Sequence, residues 1–277
     1  MDVTQHFSGK VCVVTGAGSG IGRALALALS RAGASLALSD INENTLAETK
    51  SLLGSSNRVM TDRLDVADAE AIAAYAPHVK AAMGNADYVF NVAGIARVGT
   101  FDASPLPSFE TVMTVNLYGV VRMSKAFLGQ LKETRGGLVN ISSIFGIIGF
   151  PGQADYCAAK FAVRGFSETL ATEMEPHGVS VTSVHPGGVA TNIARSAQVD
   201  AMPAHGKPRE QMDAEFDKAA ITSADDAARI ILAGTAKRKR RVIVGKDAKI
   251  VQLIQRLFPE NYFKILRKLV PGTTDIL

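Results

Sequence analysis

Short runs of β-branched and aliphatic residues alternate along the chain with longer stretches in which apolar residues return every three or four positions. The first kind lies at 11–14, 35–39, 57–61, 88–91, 137–141, 179–184 and 241–244 and predicts strands. The second lies at 22–31, 44–53, 67–83, 109–131, 154–175 and 224–233 and predicts helices. Strand and helix in turn are the mark of βαβ units. The expected fold class is therefore α/β, a doubly wound parallel sheet of about seven strands with helices on both faces. The alternation lapses between 186 and 221, a stretch broken by Pro203 and Pro208, and residues from about 187 to 221 read as a substrate loop. Beyond 244 apolar residues recur at Ile250, Val251, Leu253, Ile254, Leu257 and Phe258, then at Phe263, Ile265, Leu266, Leu269 and Val270. Pro259 separates these two short amphipathic helices. The chain thus divides into one domain, 1–246, and a helical C-terminal extension, 247–277.

The first predicted strand runs into Thr15-Gly16-Ala17-Gly18-Ser19-Gly20-Ile21-Gly22 and then into a helix of Ala and Leu. Glycines permit a tight turn and let backbone approach a ligand, while a helix N-terminus offers free N–H groups and a favourable dipole. This is a pyrophosphate site in outline, with the spacing T-G-x-x-x-G-x-G in place of the commoner G-x-G-x-x-G. No Lys stands where a Walker loop requires one, so ATP and GTP are disfavoured. Asp40, eighteen residues past Gly22, ends the second strand. A carboxylate there accepts from ribose hydroxyls and repels a 2′-phosphate. No Arg or Lys lies in the loop before Arg23 or just after Asp40, so NAD is preferred over NADP.

Tyr156 and Lys160 stand four positions apart, with Ser143 thirteen residues upstream of the tyrosine. On a helix the pair shares a face. A cation beside a phenol favours the phenolate, and Ser143 would hold the reacting oxygen. Taken alone, such a spacing also arises on any amphipathic helix as a solvated edge.

Size and composition narrow the field. The chain has 277 residues, 47% hydrophobic and 20% charged, which fits one α/β domain and excludes disorder. Residues 1–10 carry no apolar stretch of the secretory type, and no run reaches the roughly eighteen residues needed to span a bilayer. Two cysteines, Cys12 and Cys157, suggest a reducing, cytoplasmic setting. No Cys/His cluster has metal-ligand spacing, and no metal is expected. Between 237 and 270 there are eleven Lys or Arg against Asp247 and Glu260, a balance of +9. The whole chain is +4, so the remainder is −5 and the basic character belongs to the tail.

In order along the chain, these residues resemble the short-chain dehydrogenase/reductase family, of the NAD-preferring type with a Tyr-x-x-x-Lys active site. The likeness covers roughly 9–191. It rests on Thr15 to Gly22, Asp65-Val66, Asn91-Val92-Ala93-Gly94 (where Val92 replaces a second Asn), Asn116, Asn140-Ile141-Ser142-Ser143, Tyr156, Lys160, and His185-Pro186-Gly187 with Val189 and Thr191. The resemblance implies a Rossmann-like fold and a reaction between a secondary alcohol and its ketone. Tyr156 would be the general acid/base and Lys160 would lower its pKa while binding the nicotinamide ribose. Ser143 would orient the substrate oxygen, and Asn116 would hold a water linking Lys160 to solvent. The cofactor would be held by Gly16, Ser19, Gly20, Ile21, Gly22, Asp40, Asp65, Val66, Asn91, Ala93, Gly94, Tyr156, Lys160, Pro186, Gly187, Val189 and Thr191.

Ile95, Phe145, Phe150, Gln153, Ile193 and Met202 are expected to line the substrate side, and their apolar character suggests a hydrophobic alcohol or ketone. The basic, amphipathic tail fits a membrane surface, and equally a subunit interface or a lid. Nucleic acid fits it poorly. A homodimer or homotetramer is expected. Two other functions suit the same fold: an NADPH-dependent carbonyl reductase, against which Asp40 argues, and a non-catalytic NAD-binding scaffold, against which Ser143, Tyr156 and Lys160 argue.

Overall fold

The computed structural model describes residues 2–54, 58–191, 193, 196–201, 210, 211, 214, 218 and 220–269. Its strands are β1 (Val11–Thr15), β2 (Ser35–Asp40), β3 (Val59–Arg63), β4 (Tyr88–Asn91), β5 (Arg97–Gly99), β6 (Gly137–Ile141), β7 (Ser180–Pro186), β8 (Gln198–Ala201) and β9 (Arg241–Val244). Seven of them form one sheet in the order β3-β2-β1-β4-β6-β7-β9, and each neighbouring pair is parallel. The chain steps outward from β1 to β3, then returns to lay β4 on the other side of β1. That reversal opens a crevice at the carboxyl ends of β1 and β4, where parallel α/β sheets bind ligands.

The sheet is buried on both faces because successive side chains point opposite ways. Cys12, Val14, Leu36, Leu38 and Phe90 pack on one side against α2 (Gly20–Arg31) and, further along the chain, Ile231 and Leu232. Val13, Ala37, Val89 and Leu138 pack on the other against α4 (Ala69–Met83), α6 (Gly119–Thr134) and α7 (Ala154–Glu173). The other helices are α1 (Val3–Phe7), α3 (Glu43–Ser51), α5 (Leu106–Met113), α8 (Ala224–Ala236, which carries Ile231 and Leu232), α9 (Lys246–Leu257) and α10 (Tyr262–Leu269).

The structure departs from the sequence expectation in four places. The helix expected over 109–131 is two helices joined by a π turn at Thr114–Tyr118. The strand expected at 57–61 runs over Val59–Arg63, and residue 57 lies outside the described residues. α1 is a single extra turn and a half, with Phe7 fully buried against Tyr88 and Phe90. Finally, β5 and β8 pair in parallel as a separate two-stranded sheet, with Arg97 opposite Gln198 and Val98 opposite Val199. Met202, Pro203, Pro208 and Val270 lie outside the described residues.

The extension packs on the body. Leu266 is buried against Ile147 and Ile148, with Val251, Ile254 and Tyr262 around them. Among the described residues no helix is long and apolar enough to cross a membrane.

Candidate active site

The glycine loop sits at the carboxyl end of β1, where close backbone approach dictates its composition. Gly16 has φ +66°, and a Cβ there would lie 2.8 Å from the Ala93 main chain. A Cβ on Gly22 would run into the Gly16 carbonyl, which only glycine avoids. Thr15 ties the loop to the end of β4, its hydroxyl accepting from Val92 N at 3.1 Å and Ala93 N at 3.2 Å. Because those bonds are main-chain, Val92 holds its place without the amide of the family pattern. Helix α2 begins here with Ser19 at the N-cap but no side-chain capping bond, whereas Asn42, Asp68 and Ser223 cap α3, α4 and α8. The first N–H groups of α2 are thus left open toward the loop, with Ile21 in its first turn.

Asp40 closes the other side of this cradle. Its carboxylate accepts from Gly18 N at 2.8 Å and Asn42 N at 2.9 Å. An ionised carboxylate has about four acceptor sites, so capacity remains for a ligand hydroxyl. Arg23, which the sequence left without a role, donates to the Gly18 and Thr45 carbonyls, to Thr49 Oγ1 at 2.9 Å and to Glu48 at 2.9 Å. Its guanidinium is spent on fixing the loop to α3.

Strand β6 and helix α7 bring Ser143, Tyr156 and Lys160 together. Ser143 follows β6, caps the short turn Ile144–Gly146, and is nearly buried. Lys160 is buried, its Nζ donating to Ile141 O at 3.0 Å and lying 5.4 Å from the centre of the Tyr156 ring. Ser142 Oγ donates to Lys160 O at 2.8 Å, which pins α7 to the end of β6. Burial pushes the Tyr156 phenol up to about 12, against a lowering hydrogen bond from the Ser143 side chain. Burial also pushes Lys160 down to about 8. The expectation that Lys160 sets Tyr156 below its ordinary value is corrected here. Lys160 is buried and Tyr156 partly so, and burial is the largest influence on each group.

Asn116 sits in the π turn, fully buried, and its amide is committed to one neighbour: Oδ1 accepts from Ile95 N and Nδ2 donates to Ile95 O, both at 2.8 Å. Its side chain shapes the Gly94–Ile95 turn, where a Cβ on Gly94 would fall 3.0 Å from Asn116 Oδ1 and 3.6 Å from Lys160 Nζ. Asn91 also turns to structural use. Its Nδ2 donates to Asn140 Oδ1 at 2.8 Å, and Asn140 in turn donates to Ser167 at 3.0 Å, so a buried polar chain links β4, β6 and α7. At the end of β3, Asp65 accepts from Ala67 N at 2.8 Å, and Val66 is buried against Gly119.

The loop leaving β7 completes the rim. Pro186 and Val189 are buried, and Thr191 approaches Gly20 closely enough that a Cβ there would meet its methyl at 3.0 Å. Gly187 N donates to Val244 O at 2.9 Å, and Gly188 N to Asp247 Oδ2 at 2.7 Å. Behind it, buried His185 bridges Ser143 O and Ser183 Oγ, each at 3.0 Å. The carbonyl can only accept, so Nδ1 carries the hydrogen and Nε2 accepts from the serine. Burial lowers His185 to about 4.

On the substrate side Phe145 stacks on Phe150 with ring centres 4.9 Å apart and meets Tyr156 edge-on at 6.3 Å. Phe263 of α10 reaches Phe150 at 6.4 Å, and Tyr262 Oη accepts from Gly149 N at 3.0 Å. Gln153 donates to Arg97 O at 2.8 Å. Arg97 forms a two-pronged bond to Asp200, at 2.9 and 2.6 Å, across β5 and β8. A cleft of about 280 Å³ opens beside that pair, lined also by Phe101, Leu106, Phe109 and Asp155. Arg23, Arg97, Asp200 and Asp247 were not legible as site residues, because their partners lie far off in sequence or in a neighbouring element. Ile95 and Ile193 are half-buried, and Met202 lies outside the described residues.

Residues 10–201 match the short chain dehydrogenase family. A Mycobacterium tuberculosis protein, SadH, classed as an oxidoreductase, is 47% identical over 267 residues, 94% of this chain and 95% of its own. The mouse dehydrogenase/reductase SDR family member 7B is 33% identical over 92% of this chain and 80% of its own. Among solved structures, a short chain dehydrogenase/reductase from Burkholderia phymatum in complex with NAD superposes with a TM-score of 0.82 at 27% identity, over 92% of this chain and 95% of that one. The class of protein is an oxidoreductase on a Rossmann-like, nucleotide-binding fold. This chain belongs to the short-chain dehydrogenase/reductase family.

Proposed function

We propose that the protein interconverts a hydrophobic secondary alcohol and its ketone, using NAD in preference to NADP. The observation that carries this reading is the convergence of Ser143, Tyr156 and buried Lys160 at the carboxyl end of the sheet, facing the Phe145–Phe150 stack. The residues fit the cofactor: glycines let the loop fold closely on itself, on the Ala93 main chain and on Thr191, and the start of α2 beside it carries no side-chain cap. When bound, the nicotinamide carries the hydride.

The protein's own residues move the proton and orient the substrate. The Ser143 hydroxyl holds the substrate oxygen. Tyr156 Oη gives its proton to the ketone oxygen in reduction and takes one from the carbinol in oxidation. A phenol held at about 12 is protonated at neutral pH and ready as the acid, and Lys160, with its Nζ 5.4 Å from the ring centre, would favour the phenolate that follows. Asp40 supports NAD, since its carboxylate would face a 2′-phosphate while Arg23 is occupied elsewhere.

Several further proposals accompany this reading. Residues 1–246 form the catalytic unit and about 187–221 its substrate loop. The protein acts as a homodimer or homotetramer in the cytoplasm, a setting that two buried, free cysteines suit. Its tail makes peripheral contact with a membrane. A screen of hydrophobic alcohols and ketones with NAD(H) and NADP(H), read at the nicotinamide absorbance band, tests the core of the reading. Turnover is expected with NAD(H), and turnover confined to NADP(H) would overturn the cofactor assignment.

A further inference from the structure

Helix α9 is apolar on two sides. Ala248 is buried, and Val251 and Ile254 face the body, packing beside Ile147, Ile148 and Leu266. Ile250, Leu253 and Leu257 face away, 57%, 56% and 61% exposed, and Phe258 just beyond is 50% exposed. At roughly 100° per residue the three outward residues fall within an arc about 60° wide, a stripe that the protein's own core leaves uncovered. On the same construction exposed Lys249 and Arg256 lie along one flank of the stripe, with exposed Lys246 at its start. The next helix, α10, exposes Lys264, Arg267 and Lys268. Against these six cations the extension exposes one carboxylate among the described residues, Glu260, because Asp247 is turned inward to Gly188.

We infer that this face, the stripe Ile250, Leu253, Leu257 and Phe258 with its border of cations, docks on an anionic lipid surface. Charge decides the occupant. In a two-fold pair the same patch meets itself, so a second copy would set these cations against their own images. A bilayer rich in acidic headgroups offers opposite charge to the border and hydrocarbon to the stripe. The inference builds on the proposed peripheral membrane contact and not on the assigned chemistry. Its geometry has a consequence for access: α10, through Phe263 and Tyr262, is also the helix that touches Phe150 and Gly149 beside Tyr156. A protein seated on this face holds its substrate side close to the lipid.

The test is co-sedimentation of the full-length protein with vesicles of phosphatidylcholine alone or mixed with phosphatidylglycerol, without cofactor, at low and high salt. Binding is expected to the mixed vesicles, weaker by tenfold or more to the neutral ones and reduced by salt. Leu253→Asp with Leu257→Asp should abolish it, and Lys249→Glu with Arg256→Glu should remove the preference for phosphatidylglycerol. Both pairs are exposed, so NADH binding measured without vesicles should be unchanged, and this readout separates failure of the docking face from failure of the proposed reaction. Equal sedimentation of wild type and the Leu253/Leu257 variant, or no sedimentation, would overturn the inference. Loss of a dimer or tetramer in that variant, with no lipid binding by wild type, would assign the face to a second copy instead.

Discussion

Asp247, in the first turn of α9, accepts the main-chain N–H of Gly188 at 2.7 Å, so the C-terminal extension is fastened to the loop that leaves β7. The approach is close: a Cβ on Gly187 or on Gly245 would run into the same carboxylate. The loop carries Pro186, Val189 and Thr191, which the proposed function sets against the nicotinamide.

Asp247→Ala leaves the part-buried Gly188 N–H without its acceptor, at a cost of up to about 1–3 kcal/mol, the range for a fully buried donor. The expected outcome is a lower thermal midpoint and a several-fold weaker NADH affinity, read by fluorescence titration. Asp247→Asn keeps an acceptor oxygen and should lose less of both. Equal losses in the two variants would show that the bond to Gly188 is not what matters.

Tyr156→Phe removes the group that exchanges the proton and nothing that shapes the cradle. We expect kcat to fall by about 10²–10⁴-fold, the range for loss of a general acid/base. NADH binding should stay within about twofold by the same titration. Retained turnover would exclude Tyr156 as the acid.

His185 should govern part of the acid stability. Its folded value near 4 lies below the ordinary 6.5, so between those values the unfolded chain binds more protons and stability rises with pH. Acidification from about 6.5 to 4 therefore removes stability, by on the order of 3 kcal/mol for a fully buried imidazole. His185→Gln, which cannot take up a proton, should flatten the thermal midpoint against pH over that window. An unchanged slope would place the acid sensitivity elsewhere.

The Arg97–Asp200 pair, 14% and 6% exposed at the side chains, holds β5 to β8. Asp200→Ala leaves a part-buried guanidinium beside the cleft without its partner, a loss smaller than the roughly 3–5 kcal/mol of breaking a fully buried pair. Hydrogen exchange should quicken at Val98, Gly99, Val199 and Asp200 and stay slow in β1, β4 and β6. A uniform change across the sheet would mean that the pair stabilises the whole domain and not this small sheet.

The main sheet was legible because its central strands are buried on both faces and so appear as short apolar runs, as at Val11–Val14 and, interrupted only by Asn140, at Gly137–Ile141. The placement of the candidate site was legible where residues stand at a fixed spacing, as for Tyr156 and Lys160 on α7 or Gly16 and Gly22 on the turn. Long-range pairing was not. β5 and β8 are three and four residues long and exist through each other, a hundred positions apart. The π turn at Thr114–Tyr118 left no mark in the periodicity, since one wide turn shifts the apolar stripe by less than the stripe's own width. Nor could sequence weigh the desolvation of Tyr156, which depends on what the fold packs around it.

The two apolar faces of α9, one packed on the body and one exposed, make the extension a poor candidate for trimming. A chain cut after Gly245 would lose the acceptor for Gly188, uncover Ile147 and Ile148, and remove Phe263 from Phe150, all at once. What such a deletion abolished could not be assigned to the outer stripe or the inner one. In this protein the tail packs at the rim of the candidate site, about a hundred residues along the chain from Tyr156, so its folding and the shape of that rim go together.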